Sequence, residues 1–126
     1  MNIYKQKLLK IFNECDKHII RIQSASTKMQ SIMPLDKDKY LNLSDDEVES
    51  IDQFLFRFSK LQDAIEEKLE LLVDVNIWRE LRDDRNDLAH NYDDDPEETS
   101  EVINKLYYKK DILIDIYQTI KSKTQL

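Results

Sequence analysis

Apolar residues in this chain recur at three- and four-residue steps, the signature of helices with one buried face. Ile3, Leu8, Ile11, Phe12, Cys15, Ile19, Ile22 and Ala25 form one such stripe, which predicts an amphipathic helix from residue 3 to about residue 30. A polar connection of about a dozen residues follows, containing Pro34 and Leu35; it is longer than the usual link between helices. Ser44-Asp45-Asp46-Glu47 then reads as a capping box, in which the serine oxygen and the glutamate carboxylate each accept an otherwise orphaned amide. The helix it opens carries Val48, Ile51, Leu55, Phe58, Leu61, Ile65, Leu69 and Leu72 on its stripe, with Phe54 and Phe56 expected to widen the core face.

Asn76 is a candidate cap for a third helix with Ile77, Trp78, Leu81, Leu88 and Ala89, ending near His90 at about half the length of its neighbours. Asp95-Pro96-Glu97-Glu98 signals the start of the fourth, with aspartate at the N-cap and proline at the first helical position. Val102, Ile103, Leu106, Tyr107, Leu113, Ile116, Tyr117 and Ile120 continue its stripe. The pattern predicts a single all-α domain over residues 1–126, an antiparallel up-down four-helix bundle with a short third helix. Long helices of about 26 residues span ~39 Å, so a half-length helix leaves part of the groove to be closed by a loop or by a second subunit. A homodimer is the expected solution.

Composition narrows the chemistry. The chain has no glycine, which excludes glycine-rich phosphate loops and tight hairpins that need positive φ. Its one cysteine, Cys15, forms no internal disulfide, and the charged N-terminus and lack of a long apolar run lead us to expect a soluble cytoplasmic protein without a membrane span. A net charge of −7 argues against broad, non-specific nucleic-acid binding but leaves room for a locally basic cleft.

Reactive residues concentrate in residues 79–95, R-E-L-R-D-D-R-N-D-L-A-H-N-Y-D-D-D. Arg85, His90 and Tyr92 are spaced R-x4-H-x-Y. A histidine titrating near ~6.5 can move a proton at a ribose 2′-hydroxyl or a leaving oxygen, and an arginine can stabilise charge on a phosphorane. Five helical residues turn about 500°, so Arg85 and His90 point about 140° apart on one regular helix. A distortion near Asn91, or a two-fold axis joining Arg85 of one chain to His90 of another, would bring them together. Asn86 lies four residues before His90 and can set its tautomer. Arg79 and Arg82 could extend a phosphate-binding patch, or belong to a solvated ionic face with Glu80, Asp83 and Asp84. The plainer alternative for Arg85 and His90 is a surface arginine and a histidine favoured by the helix C-terminus. Tyr92 equally suits ordinary packing.

Two further groupings read as structural. Cys15 and His18 lie three apart, but Cys15 is on the apolar stripe and the rest of a zinc set is missing. Asp93, Asp94 and Asp95 lack the glycine and alternation of a calcium loop, so capping is their expected role. No metal or cofactor is expected.

R-N-D-L-A-H-N-Y at the end of a short third helix resembles the R-x4-H-x-Y signature of HEPN-domain toxins, particularly the HepT-like group. F-S-K-L-Q-D-A-I-E-E-K-L, residues 58–69, resembles the helix that precedes that signature, departing from it at Glu66-Glu67, where the family has a small residue before the lysine. The resemblance covers roughly residues 50 to 110. It implies a HEPN-like bundle and a metal-independent endoribonuclease toxin of a type II toxin–antitoxin system, dimeric, with its cleft at the two-fold axis. Arg85 and His90 match the family's catalytic pair, and Asn86 its polar follower. Tyr92 matches the tyrosine that a cognate minimal nucleotidyltransferase antitoxin modifies with AMP. From a different functional class, the same cleft could serve a non-catalytic HEPN-like module that binds a nucleotide or a protein.

Overall fold

The computed structural model describes residues 3–68, 79, 83 and 95–124, and among these the chain is all-helical, without a strand. We number the helices α1 (Ile3–Met29), α2 (Lys37–Leu41), α3 (Asp45–Lys68) and α4 (Pro96–Thr124). Three are long, at 27, 24 and 29 residues, and α2 has only five.

Each long helix starts or packs as its sequence directs. At the α3 start, the Ser44 amide donates to Glu47 Oε1 at 2.8 Å and the Glu47 amide donates back to Ser44 Oγ at 3.2 Å. That is the reciprocal capping box. At the α4 start, the Glu97 and Glu98 amides both donate to Asp95 Oδ1 at 3.1 Å, with Pro96 as the first helical residue. These caps satisfy donors that the helices themselves leave orphaned.

α1 is the shared partner. It packs closely along α3 and, at wider spacing, along α4. Cys15, Ala25 and Ala64 are small and buried, which suits the close approach. Tyr107 of α4 stands beside Ser26 of α1, and Tyr117 beside Phe12, so α4 runs antiparallel to α1. Phe54 of α3 lies at the level of Tyr107, while Arg57 reaches back to His18, so α3 is antiparallel to α1 as well. The core joins Phe12, Ile22, Met29, Phe54, Phe58, Leu61, Ile65, Leu106, Leu113 and Tyr117, all at most 3% exposed. Phe12 meets Tyr117 edge-on at 6.1 Å, a favoured geometry for two rings of opposed edge and face charge.

The polar connection is more structured than its composition suggests. Leu35 is buried at 5% exposure, and Ile32, Met33, Tyr40 and Leu43 pack against the core. Asn104 of α4 holds the Leu35 peptide from both sides: its Nδ2 donates to the Leu35 carbonyl at 2.8 Å, and the Leu35 amide donates to its Oδ1 at 2.7 Å. Asp36 then caps α2, accepting the Lys39 amide at 2.8 Å. A strap carrying its own short helix therefore crosses from α1 to α3 against the first turns of α4.

Three apolar positions leave the core face expected of them. Phe56 is 54% exposed. Two residues turn about 200° on a helix, so Phe54 and Phe58 share the core face and Phe56 must point away from it. Arg57 and Lys60 lie over its ring at 5.6 and 5.5 Å. Ile3 is 70% exposed because it stands in the first turn of α1, beyond the first core residue, Leu8. Val48, in the first turns of α3, is 37% exposed. Leu69, Leu72 and the expected third helix, with Ile77, Trp78, Leu81, Leu88 and Ala89, lie outside the described residues, apart from Arg79 and Asp83, which are helical.

Candidate functional site

The reactive stretch lies between the end of α3 at Lys68 and the start of α4 at Pro96. Arg82, Arg85, Asn86, His90 and Tyr92 lie outside the described residues. Arg79 is helical and exposed, as is Asp83 one turn later. An exposed helical arginine meets the first requirement of a phosphate contact and equally that of a solvated ionic face. The downstream edge of the stretch is fixed by Asp95, whose carboxylate is engaged as the α4 cap.

Two other groups that the sequence singles out, His18 and Cys15, are engaged structurally. The Arg57 guanidinium lies 3.0 Å from His18 Nδ1, across the seam of α1 and α3. A guanidinium only donates, so Nδ1 accepts and the imidazole proton sits on Nε2 in this arrangement. Cys15 is fully buried on the core face, as the apolar stripe requires. The described residues contain no cluster of three or more metal-ligating side chains.

A second group, which sequence inspection does not single out, ties α1 to α4. The Tyr117 hydroxyl lies 2.8 Å from Asp16 Oδ1 and 3.0 Å from the Phe12 carbonyl, and Lys121 Nζ donates to Asp16 Oδ2 at 2.9 Å. The hydroxyl has one proton for two acceptors, and the charged carboxylate is the stronger. Burial first, then the hydrogen bond to Asp16 and its negative charge, hold the phenol well above its ordinary value of 10.0. A phenol held neutral in this way is a fixed donor and no base. Tyr107 is also raised, by burial and then by Tyr108 and Asp111. Only the i to i+4 spacing of Tyr117 and Lys121 hints at this group in the sequence, because Asp16 is a hundred residues earlier.

Gln62 is buried at 0% exposure, and among the described residues neither its Nε2 nor its Oε1 has a hydrogen-bond partner. Its position is on α3 between Leu61 and Ile65, in the half of the helix nearest the reactive stretch.

Comparison of the chain with family models, with curated proteins and with solved structures finds no match in any of the three. Among the described residues no helix is long and apolar enough to cross a membrane.

Proposed function

We propose that this protein is a metal-independent endoribonuclease, the toxin of a type II toxin–antitoxin pair, acting as a HEPN-like homodimer. The observation that carries this reading is the R-x4-H-x-Y spacing of Arg85, His90 and Tyr92 between two long helices of an all-helical fold. His90 takes the proton of a ribose 2′-hydroxyl as that oxygen attacks the adjacent phosphorus, or supplies one to the departing 5′-oxygen. Attack forms the 2′-oxygen–phosphorus bond and breaks the bond to the 5′-oxygen, so no external reagent is consumed. Arg85 stabilises the equatorial oxygens during the exchange, and Asn86 orients the imidazole. Arg79 and Arg82 add phosphate contacts along the strand. Pairing two chains across a two-fold axis doubles these arginines at one cleft, which offsets locally the acidic net charge of −7.

The partner in this reading is a minimal nucleotidyltransferase antitoxin that transfers AMP to the Tyr92 hydroxyl. Purified protein is expected to cleave cellular RNA in EDTA, whereas His90→Ala and Arg85→Ala lose about a hundred-fold or more in rate. Equal cleavage by all three proteins, or none by the wild type, would remove the enzyme. Co-expression with the antitoxin is expected to add one or more AMP masses to the peptide containing Tyr92.

The acidic balance, pI about 4.8, favours a second reading, a non-catalytic HEPN-like module that binds a nucleotide or a protein through the same cleft. Binding without cleavage in the same assay would establish it.

A further inference from the structure

The seam between α1 and α3 carries cations on its outer side. Lys10, Lys17 and Arg21 are exposed on α1, seven and four residues apart, so they fall within about 40° of one another around the helix. His18 borders this row and meets Arg57 of α3 at 3.0 Å, which brings Arg57 and the exposed Lys60, one turn later, alongside it. Among the described residues, Lys10, Lys17 and Arg21 have no hydrogen bond or ion pair. Glu14 stands in the row and Asp63 at its edge, and each is already engaged. The five cations make a basic strip on a chain whose net charge is −7.

An aromatic ring stands beside the strip. Phe56 is 54% exposed, with Arg57 at 5.6 Å and Lys60 at 5.5 Å from its ring centre. Ring and cations together suit both parts of a single-stranded nucleic acid: the ring can stack on a base while the cations meet phosphates. Stacking on a base is a stronger use of an exposed ring than a solvated cation, so a base displaces Lys60 and frees its charge for a phosphate. Lys10 to Arg21 spans about 16 Å along α1, room for several phosphates of one strand. A duplex matches less well, because its base faces are already stacked on one another.

We infer that the α1–α3 seam is a binding surface for single-stranded nucleic acid, with Phe56 stacking on a base and Lys10, Lys17, Arg21 and Lys60 holding phosphates. Stacking and charge do not read the sugar, so DNA and RNA both fit. The surface lies on α1 and α3, outside residues 79–95, and stands independently of the ribonuclease reading.

A labelled single-stranded DNA oligonucleotide tests it, since DNA has no 2′-hydroxyl and survives the cleavage chemistry proposed above. Fluorescence anisotropy with the full chain at low salt is expected to show saturable binding at micromolar protein, weakening as salt rises. Phe56→Ala is expected to weaken binding about ten-fold with the salt dependence unchanged. Lys17→Ala and Arg21→Ala should each weaken it and reduce the slope of log affinity against log salt by about 0.7. Phe56→Trp should keep the wild-type affinity, and so should Lys105→Ala, which removes a cation on α4. All these sites are exposed, so helical content by circular dichroism should stay unchanged.

No binding at high micromolar protein in low salt, or a Phe56→Ala variant that binds as tightly as wild type, would overturn the inference. Equal affinity for the duplex of the same sequence, or equal losses in Lys105→Ala and Lys17→Ala, would reduce the contact to charge alone and overturn it too. Tighter binding to anionic vesicles or to polyglutamate than to the strand would assign the strip to a membrane or an acidic protein instead. A chain that binds DNA through Phe56 but cleaves no RNA keeps the surface and removes the enzyme; RNA cleavage by a chain that binds no DNA removes the surface and leaves the enzyme.

Discussion

Tyr117 and Gln62 are both fully buried polar residues, and they have opposite fates. The Tyr117 hydroxyl is matched to the Asp16 carboxylate, whereas both polar atoms of the Gln62 amide lack a partner among the described residues. An unmatched buried polar group costs about 1–3 kcal/mol, while an apolar replacement of similar shape is close to neutral or better. Gln62→Leu is therefore expected to raise the free energy of unfolding by about 1 kcal/mol in urea titration, and a loss of stability would show that the amide is satisfied in solution. Tyr117→Phe should lower it by about 1–3 kcal/mol near neutral pH, since it leaves Asp16 and the Phe12 carbonyl without this donor. The same variant changes the response to alkali. The unfolded chain releases the phenolic proton near pH ~10, but the folded chain retains it to higher pH. Above ~10, unfolding therefore releases a proton, and stability falls as pH rises. The stabilisation is fully present below that pH. Tyr117→Phe is expected to make the alkaline decline shallower, with the remaining slope from Tyr107, whose phenol is raised in the same direction.

At the scale of elements, the ends of α3 and α4 were the most legible features, because a capping box and an Asp-Pro start depend on neighbours three residues away at most. Ser44→Ala removes the acceptor of the Glu47 amide and is expected to cost about 1 kcal/mol, read as a lower urea midpoint with an unchanged slope. The strap was less legible. Its sequence is polar on average, and nothing local shows that Leu35 is buried or that its peptide is held by an α4 side chain sixty-nine residues later. Asn104→Ala withdraws both hydrogen bonds to that buried peptide. It should cost about 2–3 kcal/mol and speed amide hydrogen exchange at Leu35 more than in the middle of α1. Unchanged exchange at Leu35 would show that the strap is held by packing instead.

For the whole molecule, α1 makes the bundle cohere. It is flanked by two helices that both run antiparallel to it, so α3 and α4 run parallel and share only their inner edges. Residues on the outer face of α4, Tyr108 and Ile112 among them, are exposed. RNA cleavage that depends on His90 and Arg85, in a chain that sediments as a dimer, is the combined outcome expected at this scale.

The sequence by itself determined what local period and local chemistry can encode. That includes the long helices, the capped starts of α3 and α4, the burial of Cys15 on an apolar stripe, and the presence of an R-x4-H-x-Y set. Phe56, expected on the core face, is exposed instead, although the helical turn alone separates it from Phe54 and Phe58. Tertiary structure decided which distant residues meet. It placed Asp16 against Tyr117 and Lys121, Asn104 around the Leu35 peptide, and His18 beside Arg57. It also left Gln62 inside the core without a partner among the described residues. The reason is physical: a cap or a stripe is fixed within one or two helical turns. A contact across the bundle depends on how two helices rotate and slide against each other, which is set by the fit of the whole core.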